Sequence, residues 1–170
     1  IIDIDSELQP HPQLNNMENC IVRISQPQSL TSLYIKNCTN VIVLIISESH
    51  ASSFSGTWYV EDCEKSVFLG TPYQYRIHKS CNCKFILSPK ASPIIEDSTN
   101  LKFLSLDDHS KIRINDFAFP NSEASPNYTS LQISKETKNN LVGIINDIKS
   151  DRSFNIGRID DLMLIDVVNV

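Results

Sequence analysis

The chain is 170 residues long, 41% hydrophobic, and carries a formal net charge of −5 with a pI near 5.3. That apolar content supports one compact domain with an appended cap. The acidic balance excludes a general nucleic-acid binder or a polybasic membrane surface, which would need a basic stripe. The longest apolar run, Val41–Ile46, is strand-sized and far short of the ~20 residues that span a bilayer. Five cysteines, an odd number, do not make a closed disulfide framework. Cys81 and Cys83 form C-x-C, not the paired C-x-x-C of a zinc ribbon, so no metal site is expected. A reduced, cytoplasmic compartment is the simpler reading. With no initial Met and no signal-peptide pattern, the chain reads as an excised fragment.

Residues 1–13 read as an extended N-terminal segment. From Leu14 onward an internal repeat emerges, and five segments overlay without gaps: Leu14–Arg23, Ile35–Leu44, Val60–Leu69, Ile77–Ile86 and Ile95–Leu104. Each begins with an aliphatic residue. Three positions later stand Met17, Cys38, Cys63, Ser80 and Ser98, small in four of the five copies. Asn19, Asn40, Lys65, Asn82 and Asn100 follow, then Cys20, Val41, Ser66, Cys83 and Leu101. Val22, Val43, Phe68, Phe85 and Phe103 complete the pattern.

These columns have a coherent physical reading. Residues two apart in a strand share a face, so the last two columns point into one core. Asn tolerates left-handed backbone angles better than most other non-glycine residues, which suits a corner between strands. Small Cys and Ser fit where a narrow coil leaves little room. In this reading Cys20, Cys38, Cys63 and Cys83 are core residues. Stacked coils of this kind form a parallel β-solenoid, in which each coil buries its neighbour. An antiparallel sandwich explains the alternation but not the aligned corners. The expected architecture is therefore all-β, a parallel β-helix of about five coils over residues 14–118, with a C-terminal extension over 119–170 packing on it.

The polar stretch Ser47–Ser55 reads as a projecting loop, and Asp107–Lys111 as the end of the stack. Two prolines between Phe119 and Tyr128 suggest an extended excursion. Over Lys135–Lys149, Leu141, Ile144, Ile145 and Ile148 form one apolar stripe at helical spacing, as a capping helix would. Leu162–Ile165 and Val167–Val168 form a last apolar segment, strand or helix.

One polar cluster looks placed for chemistry. In Gln74-Tyr75-Arg76-Ile77-His78, an inward Ile77 turns Gln74, Arg76 and His78 outward. Glu61 and Glu96 occupy the column of His78, one coil to either side. Adjacent coils are about 4.8 Å apart, so either carboxylate could reach Arg76 diagonally and hold it extended. An exposed Arg beside Glu is commonly only a solvated ion pair worth under about 1 kcal/mol. No Ser-His-Asp order, Gly-rich phosphate loop or paired-carboxylate motif competes with it.

Several of these segments, in order, resemble a known family. They are Trp58-Tyr59-Val60-Glu61-Asp62-Cys63, Gln74-Tyr75-Arg76-Ile77-His78, and Pro93-Ile94-Ile95-Glu96-Asp97-Ser98. Ile114-Asn115-Asp116-Phe117 and Ser125-Pro126-Asn127-Tyr128-Thr129 continue the series. Together they resemble the C-terminal domain of tubulin-folding cofactor C and are similar to the retinitis pigmentosa protein 2 domain, over about Leu33 to Leu131. The resemblance implies a right-handed parallel β-helix that activates GTP hydrolysis in trans rather than hydrolysing GTP alone. Arg76 matches the family's arginine finger, Gln74 its accompanying glutamine and Glu96 the supporting glutamate, with His78 and Glu61 beside them. A finger of this type is worth about 10³–10⁵ in rate. The implied partners are β-tubulin with the other folding cofactors, and an Arf-like small GTPase. Magnesium would be held by the GTPase, so no cofactor is expected in this chain. The implied setting is cytoplasmic and cytoskeleton-associated.

Two other functions were open to the same fold. A non-catalytic binding module, either a GTPase effector or an actin binder like the cyclase-associated protein β-helix, would not depend on Arg76. A polysaccharide-cleaving β-helix would need carboxylates or calcium ligands along a groove, and this chain lacks that pattern.

Overall fold

The computed structural model describes residues 1–25, 27–45, 56–87, 90–105, 112–120, 124–132, 138–141, 143 and 146. Within them the corners dictate the architecture. Ten non-glycine residues have φ between 48° and 55°, and they fall in two columns. One is the expected set, Asn19, Asn40, Lys65, Asn82 and Asn100. The other lies three residues earlier, at Asn16, Asn37, Asp62, Lys79 and Asp97. Each coil therefore turns twice within a few residues, and the chain leaves each pair of turns in a different sheet. Amide ladders cross the corners from coil to coil: Asn40 Nδ2 donates to Asn19 at 2.7 Å, and Asn100 Nδ2 to Asn82 at 2.6 Å.

Between the corners the strands stack in parallel. The first sheet contains β1 (Ile2–Asp5), β3 (Glu18–Ser25), β5 (Thr39–Ile45), β7 (Val67–Gly70), β9 (Lys84–Leu87), β11 (Leu101–Ser105) and β13 (Tyr128–Gln132), in that order. The second contains β2 (Gln13–Asn15), β4 (Ser32–Lys36), β6 (Thr57–Glu61), β8 (Gln74–His78), β10 (Ile94–Glu96) and β12 (Asn115–Asp116). The result is the expected β-solenoid of about five turns. Strand pairing continues beyond residues 14–118 at both ends. β1 pairs with β3, and β13 returns after the proline-containing excursion to pair with β11. Burial explains the return: Tyr128 packs edge-on against Phe103, with centroids 6.1 Å apart.

The core lies between the sheets. Phe68, Phe85 and Phe103 stack one above another at 5.0 Å intervals. Trp58 and Tyr75 meet edge to face at 5.2 Å, both fully buried. Gly70 makes room for this pair, because a Cβ there would stand 3.0 Å from Trp58 Cζ2. Cys38, Cys63 and Cys83 are buried as expected, and Cys20 is half-buried. The small-residue column does more than save space. Ser80 Oγ donates to the His78 carbonyl at 3.0 Å and accepts from the Cys63 amide at 3.1 Å, and Ser98 repeats the pattern against Glu96 and Ser80. These bonds satisfy carbonyls at the corners and stitch successive coils together.

The two sheets differ in their outer faces. That of the seven-stranded sheet is covered: Ile21, Ile42, Leu44, Val67, Leu69, Ile86 and Leu104 are all buried. That of the six-stranded sheet is open. Of the expected capping helix, residues 138–141, 143 and 146 are helical and Leu141 is buried; Ile144, Ile145 and Ile148 lie outside the described residues. So do the expected loop at Ser47–Ser55, the stack end at Asp107–Lys111 and the final apolar segment. No helix among the described residues is long and apolar enough to cross a membrane.

Candidate functional site

The open face of the six-stranded sheet carries the site. On β8, Tyr75 and Ile77 are buried, Arg76 is exposed, and Gln74 and His78 are half-exposed on the outward side. Register then brings neighbours alongside. Tyr59 stands directly opposite Arg76 on one side and Ile94 on the other. Glu61 and Glu96 likewise stand opposite His78 from its two sides. Tyr59, Glu61, Arg76, His78, Ile94 and Glu96 share one depression of about 220 Å³, which Phe117 also lines and Gln74 does not.

The ion pairing differs from the expected buttress. Glu61 is engaged by Lys36, whose Nζ lies 3.0 Å from Oε2. That hydrogen bond holds the Glu61 carboxyl below its ordinary range and raises the Lys36 ammonium. His78 reaches Glu61 at 3.8 Å and Asp97 at 3.4 Å. Among the described residues neither Arg76 nor Glu96 makes a side-chain hydrogen bond or ion pair. Lys36, one coil further away, competes successfully for Glu61, so the guanidinium stands free on a rigid strand.

Ligand atoms of His78, Glu96 and Asp97 lie within 4.8 Å of one another, a spacing that a divalent cation accepts. Glu96 and Asp97 are exposed carboxylates, and exposed acidic groups commonly cluster without an ion.

Phe117 is the site residue that the sequence reading quoted without assigning a role. It is 59% exposed, yet its backbone is fixed, with its amide 3.0 Å from the Ile95 carbonyl. The preceding residue explains this. Asp116 is buried and accepts from the Ala118 amide at 2.9 Å, the Ser125 hydroxyl at 2.5 Å and Asn127 Nδ2 at 2.9 Å. Ser125 Oγ also accepts from the Asn127 amide at 3.0 Å. The Asp-Phe and Ser-Pro-Asn segments are thus one device that closes the excursion and presents an aromatic ring beside Arg76.

Tyr34 and Tyr59 were missed as well. They stack at 4.5 Å with planes 4° apart, continuing the outward row that contains Arg76. The signal was present in the repeat, since an aromatic residue recurs just before the first aliphatic column, where Arg76 also stands.

Known proteins resemble this chain in sequence and in fold. The model of the tubulin binding cofactor C family matches residues 10–133. A tubulin-specific chaperone C from Schizosaccharomyces pombe is 28% identical over 130 residues, covering 74% of this chain and 47% of that protein. One from Dictyostelium discoideum is 32% identical over 92 residues, covering 54% of this chain and 20% of that protein. The chain thus spans about half, or less, of these relatives' length. In structure, tubulin binding cofactor C from Leishmania major superposes with a TM-score of 0.50, covering 75% of this chain and 89% of that one at 13% identity, which supports the shared fold. With the family match covering most of its length, the chain belongs to the tubulin binding cofactor C family.

Proposed function

We propose that this chain activates GTP hydrolysis in trans, with Arg76 as an arginine finger and β-tubulin, presented with the other folding cofactors, as the GTPase. The observation that carries the reading is the free guanidinium: Arg76 is exposed, without an ion-pair partner among the described residues, and mounted on a hydrogen-bonded strand between two others. A surface arginine with two glutamates in adjacent columns would ordinarily be paired. Here the scaffold leaves its N–H groups available.

The chemistry asks little more of this chain. Water attacks the γ-phosphorus, the bond to the β–γ bridging oxygen breaks, and GDP and phosphate result. Negative charge on the transferring group is met by the planar guanidinium, whose fixed fork of N–H donors matches two oxygens in a geometry that an ammonium does not pre-organise. The GTPase supplies magnesium and positions the water. Gln74, on the same face about 7 Å along the strand, offers an amide to the partner's backbone beside the finger. Glu96, without a side-chain bond among the described residues, supports the guanidinium on docking. Phe117 supplies an apolar anchor at the edge of the same depression. Tubulin is the favoured partner because the family and the curated relatives carry its name. An Arf-like GTPase is the second candidate, through the resemblance of Gln74, Arg76 and His78 to the retinitis pigmentosa protein 2 strand. Either role belongs in the cytoplasm, the first with the cytoskeleton.

Arg76→Lys tests the reading, because it keeps the charge and loses the fork. GTP hydrolysis by tubulin with the other cofactors should fall by about 10²-fold or more when this variant replaces the wild type. Equal activity of the two proteins would refute a finger role.

A further inference from the structure

We propose that the stacked Tyr34–Tyr59 pair is a second anchor for the same GTPase, extending its footprint from Arg76 toward the N-terminal coils and setting affinity rather than rate. This rests on the trans-activation reading for the partner's identity, though not for the presence of the docking surface.

Size is the first argument. A specific protein complex covers about 800 Å² on each partner, and the depression around Arg76 is too small to supply that. The partner must cover neighbouring surface, and the outer face of the seven-stranded sheet is already buried. Continuity then selects the direction. Tyr34, Tyr59, Arg76 and Ile94 form one outward row on successive strands. A second hollow, lined by Gln13, Tyr34, Lys36, Tyr59 and Glu61, shares Tyr59 and Glu61 with the first. From Tyr34 on β4 to Asn115 on β12 the row crosses four strand spacings, about 19 Å.

Chemistry is the second argument. Tyr34 is 42% exposed, although its ring lies flat against Tyr59 with 4.5 Å between centroids. Each ring limits the other's rotation, so little side-chain freedom remains to be lost on docking. Tyrosine pairs an apolar face with a hydroxyl, the combination enriched at binding hot spots. The Lys36–Glu61 pair beside them forms a polar rim. Phe117 and the tyrosines thus lie on opposite sides of Arg76, and a partner held at both ends dissociates more slowly.

The test uses Tyr34→Ala and the conservative Tyr34→Phe, each checked by thermal melting. Single-turnover GTP hydrolysis by tubulin with the other cofactors is titrated with each protein, and direct binding to the same complex is measured alongside. Tyr34→Ala should raise the half-saturating concentration and the Kd by about tenfold while leaving the saturating rate unchanged, and Tyr34→Phe should stay near wild type. A Tyr34→Ala protein that melts lower but binds and activates like wild type would overturn the proposal, leaving only a cross-strand stabilising pair. If no wild-type acceleration is seen, the catalytic reading fails by itself. The binding arm still decides the anchor, because equal Kd values for Tyr34→Ala and wild type would reject it.

Discussion

Lys36 Nζ and Glu61 Oε2 lie 3.0 Å apart across adjacent strands, and this contact decides which carboxylate is available to Arg76. Among the described residues Glu61 is occupied and Glu96 is not. Glu96→Gln should therefore lower the activated rate of GTP hydrolysis by about tenfold, the scale of one charge-assisted hydrogen bond. Glu61→Gln should change it by less than about threefold, since it removes only an exposed surface pair. Single-turnover rates for both variants check this, and the reverse order would mean that Glu61 changes partner on docking.

The left-handed corners lead to a stability prediction. Lys65 has φ 48° in a column otherwise filled by Asn, where its bulkier side chain is strained. Lys65→Asn should raise stability by about 1 kcal/mol, or about 2–4 °C in Tm for a chain of this size. The 3.5 Å pair it loses with Glu64 is exposed and worth little. Thermal melting of the variant checks both the sign and the size.

Tyr75 is the inward-facing neighbour of Arg76 on the site strand, and among the described residues its buried hydroxyl has no hydrogen-bond partner. Burial also pushes its ionisation well above the ordinary tyrosine range. Tyr75→Phe keeps the ring contacts with Trp58 and Phe85. It should stabilise the fold by about 1 kcal/mol and leave hydrolysis unchanged, as urea unfolding and a turnover assay would show.

Thiol chemistry reports on the stack. Cys20 and Cys81 are half-buried, whereas Cys38, Cys63 and Cys83 are buried. Burial pushes the Cys83 thiol up to about 12 and raises Cys20 and Cys81 as well. At neutral pH a disulfide reagent should modify Cys20 and Cys81 slowly, and faster as pH rises and the thiolate fraction grows. The remaining three should react only on unfolding.

Much of the fold could be read from columns because each column corresponds to one physical environment. Asn19, Asn40, Asn82 and Asn100 marked a corner through their shared tolerance of positive φ. The earlier corner at Asn16, Asn37, Asp62, Lys79 and Asp97 escaped notice because it mixes residue types and shows only when Asn and Asp are read as equivalent. β13 escaped because its pairing is set across a long excursion by Asp116, Ser125 and Asn127, a tertiary network without periodicity. At the site, alternation placed Gln74, Arg76 and His78 outward, and the repeat placed Glu61 and Glu96 beside them. Which acid each base would hold was beyond it, because Lys36 competes from the next coil and only side-chain geometry decides between them.

The central claim is that Arg76 acts on the transition state and not merely in binding. Single-turnover GTP hydrolysis by the tubulin–cofactor complex, at saturating wild-type chain or Arg76→Ala, tests it most directly when binding of both is measured in parallel. The expected result is a loss of about 10³-fold or more in the saturating rate with Kd changed only modestly. Equal saturating rates, or a loss that follows Kd alone, would contradict the finger and leave Arg76 as a docking residue.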